Sequence, residues 1–294
     1  MTDRACANCG QPLSESARFC PYCGRDVTQP SSTMLVATSE PTTGGGDTEE
    51  KVPWRAIEGL AIFIIAVIAT VVVTIPIGLA LSPISACGGL PAAQATRCFD
   101  HRDLLTALTV LINELALLGA VLLWVRLVHK ARARTLGFRN LSPANVLSGM
   151  GIGVAGIFVA GIISYALTSI IQNATHRQVE APKQISLQSN PQVLVLVIIG
   201  LSVILLAPLA EEAFFRGFVF QGLKKWLRPG WAIVVSAAVF GLAHLIPLIM
   251  LPIFGLGVLL AAIVQARKSI VPSIFAHMTF NGIQFAILVA TKKF

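Results

Sequence analysis

The chain has 294 residues, of which 55% are hydrophobic and only 12% charged, against roughly 25% charged in soluble domains. This composition argues against an ordinary soluble domain and for a polytopic membrane protein. The formal charge of +8 does not read as nucleic-acid binding: residues 1–53 carry four bases against seven acids, residues 54–294 carry 18 against seven, and the latter bases stand at the ends of apolar runs, where they orient helices.

The first residues, Met1 to Cys6, show no basic region followed by an apolar core, so no cleavable signal peptide is expected. Cys6, Cys9, Cys20 and Cys23 form a C-x2-C-x10-C-x2-C array, each pair followed by glycine (Gly10, Gly24). Four thiolates on two tight turns can close a tetrahedron around one structural Zn²⁺, and so short a segment has little else to hold it folded. Two disulfides fit adjacent C-x2-C pairs less well. Zinc thiolates imply a reducing compartment, which puts the N-terminus on the cytoplasmic side. Residues 1–27 are therefore read as a zinc ribbon. Residues 28–53, rich in Ser, Thr, Gly and Pro and including Gly44, Gly45 and Gly46, are read as a flexible linker.

From Trp54 onward, long apolar runs alternate with short polar or basic loops. At about 20 residues per span they predict about seven transmembrane helices, near 57–81, 103–129, 144–171, 192–223, 231–246, 248–266 and 269–290. With the N-terminus inside, the internal loops hold Lys130, Arg132, Arg134 and Arg139, then Lys224, Lys225 and Arg228, then Arg267 and Lys268, which satisfies the positive-inside bias. Lys292 and Lys293 would end outside, and the fifth and sixth spans meet in a tight turn around Pro247. The external loop 82–102 contains Cys87 and Cys98, which can form a disulfide or remain free thiols near the interface. The fold class is thus an all-α polytopic membrane domain, 54–294, preceded by a small zinc-ribbon module.

Charged groups in hydrocarbon cost at least roughly 2.5–3.5 kcal/mol each on insertion scales, so they persist mainly where they face a cavity, a partner or a reaction. Here they cluster: Glu211, Glu212 and Arg216 in the fourth span, His244 in the fifth, His277 and Asn281 in the seventh, and Asn113 with Glu114 in the second. Counted from the basic loops at about 1.5 Å per residue, Glu211, His244, His277, Asn281, Asn113 and Glu114 fall about 14–23 Å deep, the common level that one active site requires. Glu212 and Arg216 are four apart and can pair, as a structural lock. That leaves Glu211 as the carboxylate without a local counter-charge, a suitable general base. Pro208, one turn earlier, removes a backbone donor and can open the helix. His277 and Asn281 share a face and can present two donors to a developing oxyanion. Asn113 and Glu114 serve either as support for this site or as helix contacts. His101, His129 and His176 fall near loops, where a solvated histidine needs no special role. Gly149, Gly151, Gly153 and Gly156 superficially spell a dinucleotide fingerprint, but without a preceding strand they read as close helix packing.

Three motifs, Glu211-Glu212-Ala-Phe-Phe-Arg216, Phe240-Gly-Leu-Ala-His244 and His277-Met-Thr-Phe-Asn281, stand in order on successive apolar segments. They resemble the E-E-x-x-x-R, F-x-x-x-H and H-x-x-x-N motifs of the CPBP family, the CAAX proteases or intramembrane glutamic endopeptidases, over roughly residues 190–290. The resemblance implies peptide-bond hydrolysis inside a helical bundle of an integral membrane protein, without a catalytic metal. It implies that Glu211 and His244 activate a water, that His277 and Asn281 hold the oxyanion, and that Glu212 and Arg216 support them. Eukaryotic members remove three residues from prenylated proteins; nothing in this sequence supports that substrate. The ribbon is outside the family's core and resembles those on many prokaryotic membrane proteins, so the expected setting is a prokaryotic cell membrane. The expected partners are the lipid bilayer, a membrane-associated peptide or protein substrate, and a protein partner docked on the ribbon. Three alternatives remain at this level: a zinc metalloprotease using a glutamate with His244 and His277, an inactive scaffold, immunity or sensor protein, and a transporter.

Overall fold

The computed structural model describes residues 52–81, 101–178 and 191–291, together with Pro12 and Ser14. The ribbon cysteines Cys6, Cys9, Cys20 and Cys23, nearly all of the linker, and Cys87 with Cys98 lie outside the described residues. The described helices all belong to the unit Glu49–Phe294.

Among the described residues seven main helices follow one another: α1 (Glu58–Leu81), α2 (His101–Leu127), α3 (Pro143–Thr175), α4 (Val193–Leu223), α5 (Pro229–Leu242), α6 (Pro247–Arg267) and α7 (Val271–Thr291). Six are long and apolar enough to cross a membrane; α5, with 14 residues, is shorter. At about 1.5 Å per residue α5 extends about 21 Å, less than the roughly 30 Å of a bilayer core. Large apolar side chains stay exposed along the outside, among them Ile68, Val72, Leu79, Phe158 and Ile162, a surface that is stable against lipid. The protein is an integral membrane protein.

The expected fifth span to 246 is corrected. Helix α5 ends at Leu242, and Ala243–Ile246 turn back into α6. Pro247 begins α6, and the residue before a proline is driven out of helical geometry; Ile246 is accordingly extended, with φ −105° and ψ 108°. His244 therefore sits in the turn beyond α5, where its ring is freed from a helical face.

Packing is closest where glycines allow it. A Cβ on Gly149 would lie 2.3 Å from the Pro272 carbonyl oxygen, one on Gly153 2.3 Å from that of Ala276, and one on Gly156 2.8 Å from Leu256 Cδ1. The expected glycine packing holds at these three positions: Gly149 and Gly153 seat α3 on the backbone of α7, and Gly156 seats it on the Leu256 side chain of α6. Gly151 has no such neighbour within 4 Å.

Contacts gather the basic loops at one end of the bundle. The Ile270 N–H donates to the Gly137 carbonyl at 3.0 Å, and Ser269 Oγ donates to the Arg139 carbonyl, joining the α2–α3 and α6–α7 loops. Gly137 sits at φ +99°, a left-handed geometry that suits glycine. Lys224 reaches Gln265 at 3.5 Å. Lys225 Nζ donates to the carbonyls of Val52, Pro53 and Trp54 at 3.3, 3.4 and 3.1 Å, fixing the entry segment at the same end.

Candidate active site

The helix that carries the first motif is not a regular α-helix. Within α4 the chain widens into π turns at Ser202–Leu206 and again at Glu212–Phe220, on either side of Ala207–Glu211. Proline accounts for one consequence. In the first π turn the Ala207 N–H donates to Ser202 O, so the donor next due to the Val203 carbonyl would come from residue 208, which is proline and has none. A buried orphan carbonyl is costly. Asn281 of α7 satisfies it, donating from Nδ2 to Val203 O at 2.8 Å. Side chains likewise donate to the second widened stretch: Ser236 Oγ to Phe215 O at 3.3 Å and Trp54 Nε1 to Phe218 O at 3.0 Å.

Glu212 and Arg216 pair as the spacing predicted. Arg216 Nη1 donates to Glu212 Oε1 at 2.7 Å with both side chains fully buried, and Arg216 Nη2 donates to Gly257 O at 3.3 Å. Removing one member of such a pair strands a buried charge, at about 3–5 kcal/mol. The same Glu212 oxygen lies 3.2 Å from His277 Nδ1. A carboxylate oxygen there assigns the ring proton to Nδ1. His277 Nε2 is turned toward the neighbouring carboxylate, 3.9 Å from Glu211 Oε2.

Glu211 differs from Glu212 in what surrounds it. Its side chain is 17% exposed, whereas that of Glu212 is fully buried. Its Oε2 is nonetheless buried without a hydrogen-bond partner among the described residues. Glu212 Oε2 likewise has no hydrogen-bond partner among the described residues, so what separates the two glutamates is the ion pair at Glu212 Oε1, which Glu211 lacks.

His244 is half-buried, and its Nδ1 lies 2.9 Å from Phe240 O. A carbonyl only accepts, so Nδ1 carries the proton and Nε2 holds the lone pair in the neutral ring. The His244 and His277 rings both meet the Phe240 ring edge to face, with centroids 5.1 and 5.7 Å away. The tertiary structure thus gathers Glu211, Glu212, Arg216 and His277 in direct contact, brings His244 to the same aromatic ring, and commits one amide donor of Asn281 to helix repair.

Glu114 of α2 is buried and accepts from Asn113 Nδ2 at 3.1 Å. His129 corrects an expectation. It is not a solvated loop residue, for its Nε2 stands 2.6 Å from Glu58 Oε2, which also accepts from Trp124 Nε1 at 2.9 Å. Trp54, fully buried and stacked on Phe218 at 4.9 Å, completes that cluster. Sequence reasoning missed it because Trp54 and Glu58 lie at a helix entrance, where an aromatic and an acid are commonplace. Among the described residues, no three His, Cys, Asp or Glu side chains are grouped so as to hold a metal ion.

Comparison with known proteins locates the same segment. Residues 192–283 match the family model described as Type II CAAX prenyl endopeptidase Rce1-like, and residues 6–27 match that of a zinc-ribbon domain. No curated protein and no solved structure matches the chain. The four ribbon cysteines fall inside the second match, and their thiolate set suits one tetrahedral zinc ion. Residues 192–283, which carry Glu211, His244 and His277, are therefore similar to the Rce1-like CAAX protease domains of the CPBP family, and residues 6–27 to zinc ribbons.

Proposed function

We propose that residues 54–294 form an intramembrane endopeptidase that hydrolyses peptide bonds of membrane-associated peptides or proteins with a water activated by Glu211 and His244. The observation that carries this reading is the division of labour between adjacent carboxylates. Each keeps one buried oxygen without a hydrogen bond, but Glu212 Oε1 is held by Arg216 at 2.7 Å and His277 at 3.2 Å, whereas Glu211 has only His277 Nε2, 3.9 Å away.

In this scheme a water donates one hydrogen bond to Glu211 and one to His244 Nε2, the nitrogen left free by the Phe240 carbonyl. As its oxygen attacks the peptide carbonyl, Glu211 takes the proton. The second N–H of the Asn281 amide and the His277 side chain hold the developing oxyanion. Collapse of the tetrahedral intermediate breaks the C–N bond, and Glu211 returns its proton to the leaving amine.

The ribbon, residues 1–27, would hold zinc through Cys6, Cys9, Cys20 and Cys23; the metal would supply folding energy to that module. A regulatory or docking role for it is part of the same proposal, as are the linker 28–53 and a cytoplasmic N-terminus.

The test is proteolysis of a lipidated-peptide library by the full chain in proteoliposomes. Cleavage by the wild type that is lost in Glu211→Gln supports the reading. Cleavage unaffected by Glu211→Gln refutes it.

A further inference from the structure

One hydrogen bond does not fix an imidazole. The bonds from His244 Nδ1 to Phe240 O and from His277 Nδ1 to Glu212 Oε1 place one nitrogen of each ring but leave the ring free to swing about that contact. A second surface must set the plane. Arg216 poses a related problem. Its guanidinium is fully buried, and its two polar contacts are made by Nη1 and Nη2, so Nε is left without a hydrogen-bond partner among the described residues.

Both problems converge on one side chain. Phe240 is fully buried. The Arg216 guanidinium carbon lies over its ring, 4.2 Å from the centroid, against 5.9 Å for the neighbouring Phe215 ring. The His244 and His277 rings stand at 82° and 87° to it, and Phe215 packs at 71° with its centroid 5.0 Å away. The close approach of α5 and α6 that permits this depends on Gly257, where a Cβ would meet Ala237 Cα at 3.1 Å and Phe240 Cδ1 at 3.2 Å. The Gly257 carbonyl also receives Arg216. One ring therefore touches side chains from α4, α7 and the α5–α6 turn.

We infer that Phe240 is a positioning residue for hydrolysis: its ring holds the Arg216 guanidinium against one face and sets the planes of His244 and His277, so that the three motifs act as one site. This inference rests on the endopeptidase reading above. An aliphatic residue of similar bulk would fill the volume without supplying the negative ring face that attracts the cation or the edge-to-face geometry preferred by aromatic pairs.

Two measurements test it. The first places phenylalanine, 4-fluoro-, 3,5-difluoro- and 3,4,5-trifluorophenylalanine at position 240 of the full chain, a series that drains the ring face while changing the shape little. The expected result is a stepwise fall in kcat totalling about two- to thirtyfold, with KM unchanged within about twofold, as befits alignment of catalytic groups rather than substrate binding. The same series at Phe215 is expected to be flat. A flat series at Phe240 overturns the inference, while loss of cleavage in Glu211→Gln continues to support the endopeptidase reading, so the two failures are distinguishable.

The second measurement needs no substrate. Histidine-selective NMR in nanodiscs should show that Phe240→Leu removes the ring-current shifts of His244 and His277 and replaces each single signal by several conformers. His129 and His176, remote from the ring, should keep their signals and so report an intact fold. Single, sharp signals for both site histidines in Phe240→Leu would overturn the inference even if no peptide is ever cleaved.

Discussion

His277 Nδ1 stands 3.2 Å from Glu212 Oε1, the same oxygen that receives Arg216 Nη1 at 2.7 Å. A single carboxylate oxygen thus ties the ion pair of α4 to the histidine of α7. Arg216→Met should strand the Glu212 charge and destabilise the folded protein by about 3–5 kcal/mol. The double variant Glu212→Gln/Arg216→Met should recover much of that loss in thermal stability without regaining activity, because the anchor of His277 is then weakened. Chemical or thermal denaturation in detergent, run beside the cleavage assay, separates the two effects.

The unused oxygen of Glu211 leads to a prediction about rate. Glu211→Gln keeps the shape of the side chain but removes the proton acceptor, so kcat should fall by about 10²–10⁴-fold with little change in stability. Glu212→Gln, which breaks the buried pair, should lose both activity and stability. The contrast between these neighbours is what a denaturation and kinetics comparison would read.

Close approach of α3 and α7 depends on Gly153, where a Cβ would come 2.3 Å from the Ala276 carbonyl and 2.7 Å from Thr279 Cβ. Gly153→Val should force α7 outward, shift the adjoining His277 and lower both melting temperature and kcat; overpacking of this kind typically costs about 1–3 kcal/mol. Gly151→Ala meets nothing within 4 Å and should be neutral or slightly stabilising, since alanine favours helix over glycine by about 1 kcal/mol. Equal effects at the two positions would contradict the packing described.

At the basic end of the bundle, burial, with Lys268 nearby, lowers the Lys224 ammonium from its ordinary value of 10.5 to about 8. Below pH 8 the ammonium is charged in both folded and unfolded protein. Between about 8 and 10.5 the folded form sheds its proton while the unfolded form retains it, so this group's contribution to stability rises with pH across that window. Lys224→Met should flatten the rise, measured as thermal inactivation between pH 7.5 and 10.5. Lys224 should also react with amine-selective acylating reagents at pH 8 faster than Lys225.

Metal removal separates the ribbon from the reaction. A strong chelator should withdraw about one zinc ion per chain, unfold residues 1–27, and leave peptide cleavage at the wild-type rate. Loss of cleavage on chelation, persisting in a Cys6→Ser/Cys9→Ser variant that cannot form the ribbon site, would instead favour a catalytic metal.

The amino-acid sequence by itself determined the class of protein and singled out the intramembrane polar residues that the fold brings together. Long apolar runs specify membrane helices because of the high cost of exposing polar backbone in lipid, and ionisable residues inside them are rare enough to announce themselves, as Glu211, Glu212, Arg216 and His277 did. The i, i+4 pairing of Glu212 with Arg216 and the glycine seam on α3 were equally legible, since both are local geometry. Tertiary structure decided what depends on groups far apart in the chain. The turn that carries His244 depends on α5 stopping at Leu242, and the role of Asn281 depends on a π turn meeting Pro208, so that an amide 78 residues away completes a carbonyl's hydrogen bond. The Phe240 ring acquired its neighbours only when α4, α7 and the α5–α6 turn closed around it. Helical phase can say which side chains share a face, but the orientation of an imidazole is set by what packs against it, and that is a property of the folded core.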